Sequence, residues 1–74
     1  MQYFKTSQFV PQKGQAWMYI EASDEGVVQR TLTHIPTTGE ISRIPDPIVK
    51  ILFMPERLTP ADAEEFISLW DSPA

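Results

Sequence analysis

Three turn signals recur along the first half of the chain, at Pro11-Gln12-Lys13-Gly14, Ser23-Asp24-Glu25-Gly26 and Pro36-Thr37-Thr38-Gly39, and the intervals between them hold only short extended segments. Connections of this length cannot carry a chain across a sheet in a parallel crossover, so the segments they join must run antiparallel. The middle signal is the strongest: Ser23 and Asp24 can bond their own backbone, and Gly26 can take positive φ without a steric penalty.

The segments themselves alternate as strands do. In Gln15 to Glu21, Ala16, Met18 and Ile20 share one face, while Trp17, Tyr19 and Glu21 share the other. Val27 to His34 is rich in β-branched residues; alternation puts Val28, Arg30, Leu32 and His34 on one side, with Val27, Gln29, Thr31 and Thr33 opposite. Together these two segments read as a hairpin. Tyr3 to Val10 should pair with the Trp17 strand, and Glu40 to Ile44 should add a short strand after the third turn. Ile48 to Met54 is an apolar run broken by Lys50 and bracketed by Pro47 and Pro55. It reads as a buried strand completing the sheet, although Asp46-Pro47 would also open a short helix.

The carboxyl end changes period. Thr59 suits an N-cap, Pro60 the first helical position and Asp62 the electropositive first turn. Ala63, Phe66, Ile67 and Trp70 then recur at spacings of three and four, which predicts an amphipathic helix over about residues 60–71, with Leu58 stapled onto Ala63. The expected class is α+β: an antiparallel β-meander of four to five short strands with one C-terminal amphipathic helix packed on one face, in a single small globular domain spanning residues 1–74.

A chain of 74 residues can build one core, and its 42% hydrophobic and 22% charged content places it among globular rather than disordered sequences. Below roughly 80 residues such a core leaves only a few kcal/mol of net stability, so an oligomer or a partner is an expected source of reinforcement. With no cysteine, neither a disulfide nor a thiolate metal site can supply it. The amino terminus lacks the basic stretch and apolar run of a secretory signal, and no apolar run approaches the ~20 residues of a membrane span, so a soluble, cytoplasmic protein is expected.

The net charge of −4 is unevenly placed. Residues 1–58 hold six bases and six acids, whereas Asp62, Glu64, Glu65 and Asp71 carry the whole imbalance. Because the six bases are scattered singly, nothing offers the clustered cation surface that nucleic acid requires.

Motifs for chemistry are sparse. His34 is the one histidine, with Thr31, Thr33 and Arg30 nearby in sequence, but no nucleophile motif or oxyanion turn accompanies it, and no second His or Cys would complete a metal site. The acidic helix group reads as a solvated flank, and the three glycines as turn residues rather than a phosphate loop. No catalytic residue, metal or cofactor is expected. Trp17 and Tyr19 carry more information, because they share a face opposite Met18 and Ile20. Either they form the core of a sheet covered on both sides, or they display an aromatic surface, with Arg30 and His34 beside it. The expected function is a small accessory or regulatory protein-interaction module without catalytic activity, its partner another protein. It would bind through Trp17, Tyr19, Arg30 and His34 or through the proline-framed loops at Ile44-Pro45 and Asp46-Pro47. Two other readings compete with it: a small enzyme or ligand-binding domain around His34, and an obligate homo-oligomeric subunit.

Overall fold

The computed structural model describes residues 1–52 and 55–73. Four strands, β1 (Gln2–Val10), β2 (Gly14–Ala22), β3 (Val28–Ile35) and β4 (Glu40–Ile44), form the antiparallel meander that the turn spacing dictates. A short fifth strand, β5 (Thr59–Pro60), joins the far edge, so the sheet order is β4-β3-β2-β1-β5. Helix α1 (Ala63–Trp70) packs on one face, and the domain is α+β. No helix among the described residues is long and apolar enough to cross a membrane.

The turns behave as their residues demand. Gly14 closes the first at φ 98°, and a Cβ there would come within 3.2 Å of Thr37 Oγ1 in the third turn, so the two turns at this end of the sheet pack closely. The Glu21–Arg30 step is less regular. Arg30 stands opposite Glu21 but Val28 stands opposite Ala22, so the β3 strand bulges between them. The bulge reverses the expected alternation: Val28 joins Ile20 and Thr31 on the face away from the helix, while Arg30 and Leu32 stay beneath it.

Helix α1 covers the Trp17 and Tyr19 face. Its centre is Phe66, which is fully buried and packs with Tyr19 and Leu32; Tyr3, Trp17, Ile41, Ala61, Leu69 and Trp70 pack against this cluster. The helix begins later than its sequence signals predict. Thr59 and Pro60 pair with Lys5 and Phe4 as β5, and the N–H of Ala61 donates to the Tyr3 carbonyl at 2.9 Å. Pro60 costs the sheet little because an edge strand tolerates a missing donor. Asp62 is the N-cap residue, with extended backbone and no capping bond from its side chain.

The apolar stripe is rotated accordingly. Phe66, Leu69 and Trp70 face the sheet, whereas Ala63 is exposed and Ile67 is 44% exposed. Leu58 lies on the opposite side of the sheet, so it does not staple Ala63. At the other end Arg43 of β4 donates to the carbonyls of Trp70 (2.7 Å), Leu69 (3.1 Å) and Ser72 (2.6 Å), satisfying helix-end acceptors with a cation where the dipole favours one.

Residues 45–58 connect β4, at one edge, to β5 at the other. Of the described residues among them, Pro47, Ile51, Leu52 and Leu58 lie over the face that the helix leaves free. Residues 48–52 form no strand: Ile51 makes a single bridge with Val27, and two backbone bonds, from Val28 N–H to the Lys50 carbonyl (2.7 Å) and from Leu52 N–H to the Gly26 carbonyl (3.2 Å), tie the segment down. The rest of the expected 48–54 strand, residues 53 and 54, lies outside the described residues. The fifth strand is therefore β5 rather than this run.

Because Phe66 is fully buried at the centre of the only helix–sheet layer described, Phe66→Ala should lose ~3–5 kcal/mol, comparable to the whole stability of so small a domain. Urea titration should find it largely unfolded, with exposed Glu64→Ala within about 0.5 kcal/mol of the parent.

Candidate functional site

The four residues singled out from sequence fall into two groups. Tyr19 is 5% exposed beneath the helix, where its hydroxyl donates to Glu65 Oε1 at 2.5 Å. Burial, then the bond to the Glu65 carboxylate, raises its pKa above the ordinary tyrosine value. Arg30 is half-buried in the same layer. Its Nε and Nη2 donate to the two oxygens of Glu21 at 2.7 and 2.8 Å, and its guanidinium lies 4.5 Å from the Trp70 ring centroid and 5.2 Å from that of Phe66. Tyr3 supplies Glu21 with a further hydroxyl donor at 2.9 Å. Tyr19 and Arg30 thus hold the helix to the sheet.

Trp17 and His34 stand directly opposite each other on β2 and β3, both half-buried, with Ile41 as the next neighbour across β4. Lys5 Nζ sits 5.4 Å from the Trp17 ring and 3.4 Å from Glu65 Oε1. His34 is therefore flanked across the sheet by an indole and an aliphatic chain, neither of which can serve it as an acid or base partner. The carboxylates on the helix-covered face are committed elsewhere, Glu21 to Arg30 and Tyr3, Glu65 to Tyr19 and Lys5. Among the described residues no group of three His, Cys, Asp or Glu side chains could hold a metal.

The concave surface lies on the other side. A groove of about 650 Å³ opens between the back of the sheet, where Met18, Ile20 and Thr31 form its floor, and the 45–58 connection, where Pro47, Ile48 and Leu52 form its wall. Its lining is almost wholly apolar. Pro47 is buried against it, yet Ile48 is 98% exposed, Ile51 77% and Val49 70%, with Ile44 and Val27 also exposed. Asp46 and Lys50 form an ion pair across one turn's spacing of this segment. The lysine holds the Asp46 carboxyl below its ordinary pKa.

Sequence reasoning found the apolar run but read it as buried. The available signal was Pro45 and Pro47, which interrupt sheet pairing just ahead of it, together with the Asp46 and Lys50 charges on either side of Ile48. The Glu21–Arg30 pair was not legible, since Glu21 lies two residues before Ser23 and Arg30 four after Gly26, and only the bulge in β3 brings them opposite each other.

Comparison with family models, with curated proteins and with solved structures finds no match to the chain.

The Glu21 network predicts an acid limb. The Arg30 hydrogen bonds lower the Glu21 pKa from its ordinary 4.5, burial opposes this, and the Tyr3 bond adds to the lowering. A depressed folded-state pKa contributes stability above the unfolded value and loses it as pH falls through the folded value. Denaturant titrations from neutral pH down to about pH 2 should thus show the parent losing stability below about pH 4.5, and Glu21→Gln, already weakened at neutral pH, declining less steeply.

Proposed function

We propose that the chain is a small accessory or regulatory module without catalytic activity, which acts by binding another protein chain through the apolar face opposite its helix. The carrying observation is the open groove walled by a segment whose Ile48, Val49 and Ile51 side chains lie 98%, 70% and 77% exposed. Isolated exposed apolar residues are ordinary, but several beside an apolar concavity mark an interaction surface. The proline-framed loop thus has the better claim to the partner site. The aromatic residues Trp17 and Tyr19 contribute to the core cluster on the side that the helix occupies.

An enzymatic role around His34 has less support, because its cross-strand neighbours Trp17 and Ile41 offer no proton partner. Net negative charge and scattered bases continue to disfavour nucleic acid. A chain without cysteine suits a reducing compartment, and a cytoplasmic setting goes with this role.

A photo-crosslinking side chain placed at position 48 should capture a defined adduct, whereas the same group at position 64, on the exposed side of the helix, should not. Unlabelled parent protein should compete the adduct away and Ile48→Asp should fail to, while melting close to the parent because the site is exposed. Equal capture at both positions, or equal competition by both proteins, would sink the proposal.

A further inference from the structure

We propose that the occupant of the apolar face is a second copy of the same chain, docked antiparallel along residues 46–50 about a two-fold axis passing near Ile48. This rests on the interaction role given above and goes beyond it by naming the partner.

Asp46 and Lys50 bracket Pro47, Ile48 and Val49 in sequence and meet as an ion pair, so the segment presents an apolar loop with one anion and one cation side by side where its ends come together. A two-fold axis beside that pair sets it against its own inverted copy. Each Asp46 then meets the partner's cation and each Lys50 the partner's anion, the self-complementarity that an isologous interface requires. The Asp46 side chain is 86% exposed and that of Lys50 47%, so their pairing within one chain leaves both open to a second contact.

Shape gives the same pairing. Ile48 projects with 98% of its surface exposed beside a groove of about 650 Å³, which makes each copy both a knob and a hollow. Ile44 and Ile51, both exposed, line the same groove. Electrostatics at longer range permits it as well. The whole net charge of −4 resides beyond residue 58, chiefly on and next to the helix, while residues 1–58 balance to zero. Two copies docked by the faces opposite their helices keep those acidic segments on the outside of the pair.

Sedimentation velocity across a concentration series of the full chain, with Asp46→Lys and Lys50→Asp variants alone and mixed, tests the arrangement. The parent should sediment as a concentration-dependent dimer. Asp46→Lys presents two cations and Lys50→Asp two anions, so each alone should associate at least about tenfold more weakly through like-charge contact. An equimolar mixture should recover the dimer, although neither variant can form its internal ion pair. Ile48→Arg, which keeps the internal pair, should also be monomeric, and far-UV circular dichroism should match the parent throughout. A parent that stays monomeric, variants that associate as it does, or a mixture that remains monomeric would each overturn the self-docked arrangement. If the parent is monomeric but the position-48 crosslink still captures a different protein, self-association fails and the interaction role stands.

Discussion

Glu21 sets the terms for one side of this molecule. A carboxylate only 6% exposed needs a cation with fixed geometry, and the hairpin register puts Arg30 directly across from it. Two donors of the guanidinium meet the two carboxylate oxygens, and Tyr3 supplies a third donor. The flat face of the guanidinium then lies over Trp70 and Phe66. An arginine can serve both functions because its donors lie in the plane and its stacking surface lies outside it. The helix docks on a surface made apolar and cationic by the same residue. Arg43 then holds its far end by the last carbonyls, and Ala61 ties its approach to Tyr3.

What was legible in the sequence follows the range of the forces involved. Strand existence and turn position are local, and the alternation in Gln15–Glu21 and the glycine-terminated turns identified all four meander strands to within a residue or so. The start of the helix was not legible, because Thr59-Pro60 satisfies two local grammars at once. It can cap a helix, or it can lie on a sheet edge, and the choice rests with Lys5 and Phe4, more than fifty residues away. The helix face failed for a related reason. Ala63 and Ile67 match the period as well as Leu69 does, and the arginine-aromatic stack decides which stripe turns inward.

The groove segment was obscured by an assumption about apolar runs. Ile48, Val49 and Ile51 look like a buried strand when burial is inferred from composition alone. Topology decides otherwise. With β4 at one edge and β5 at the other, residues 45–58 have to traverse the sheet. The helix makes the return traverse on the opposite face, so each face is crossed once, by chain of quite different character. Two backbone bonds and one bridge hold the residue 50–52 stretch to the Gly26–Val28 turn, while Pro45 and Pro47 limit the conformations open to the stretch before it.

The two faces have consequently settled their polar groups in different ways. Beneath the helix every buried side-chain polar atom among the described residues has a partner, and charged groups there are matched within the chain, Glu21 to Arg30 and Glu65 to Lys5 and Tyr19. Breaking that network by removing one partner would leave a buried charge or polar group unmatched, at a cost of several kcal/mol. On the other face the situation is reversed: Met18, Ile20 and Thr31 floor a hollow that Pro47, Ile48 and Leu52 wall without filling, and the exposed residues gain by leaving water at roughly 25 cal/mol per Å² of apolar surface removed. A surface of that kind gains from any well-fitting apolar contact. The satisfied polar network and the open apolar concavity thus lie on opposite sides of a single sheet, joined through the buried residues Ile20, Val28 and Thr31 that the groove side contributes.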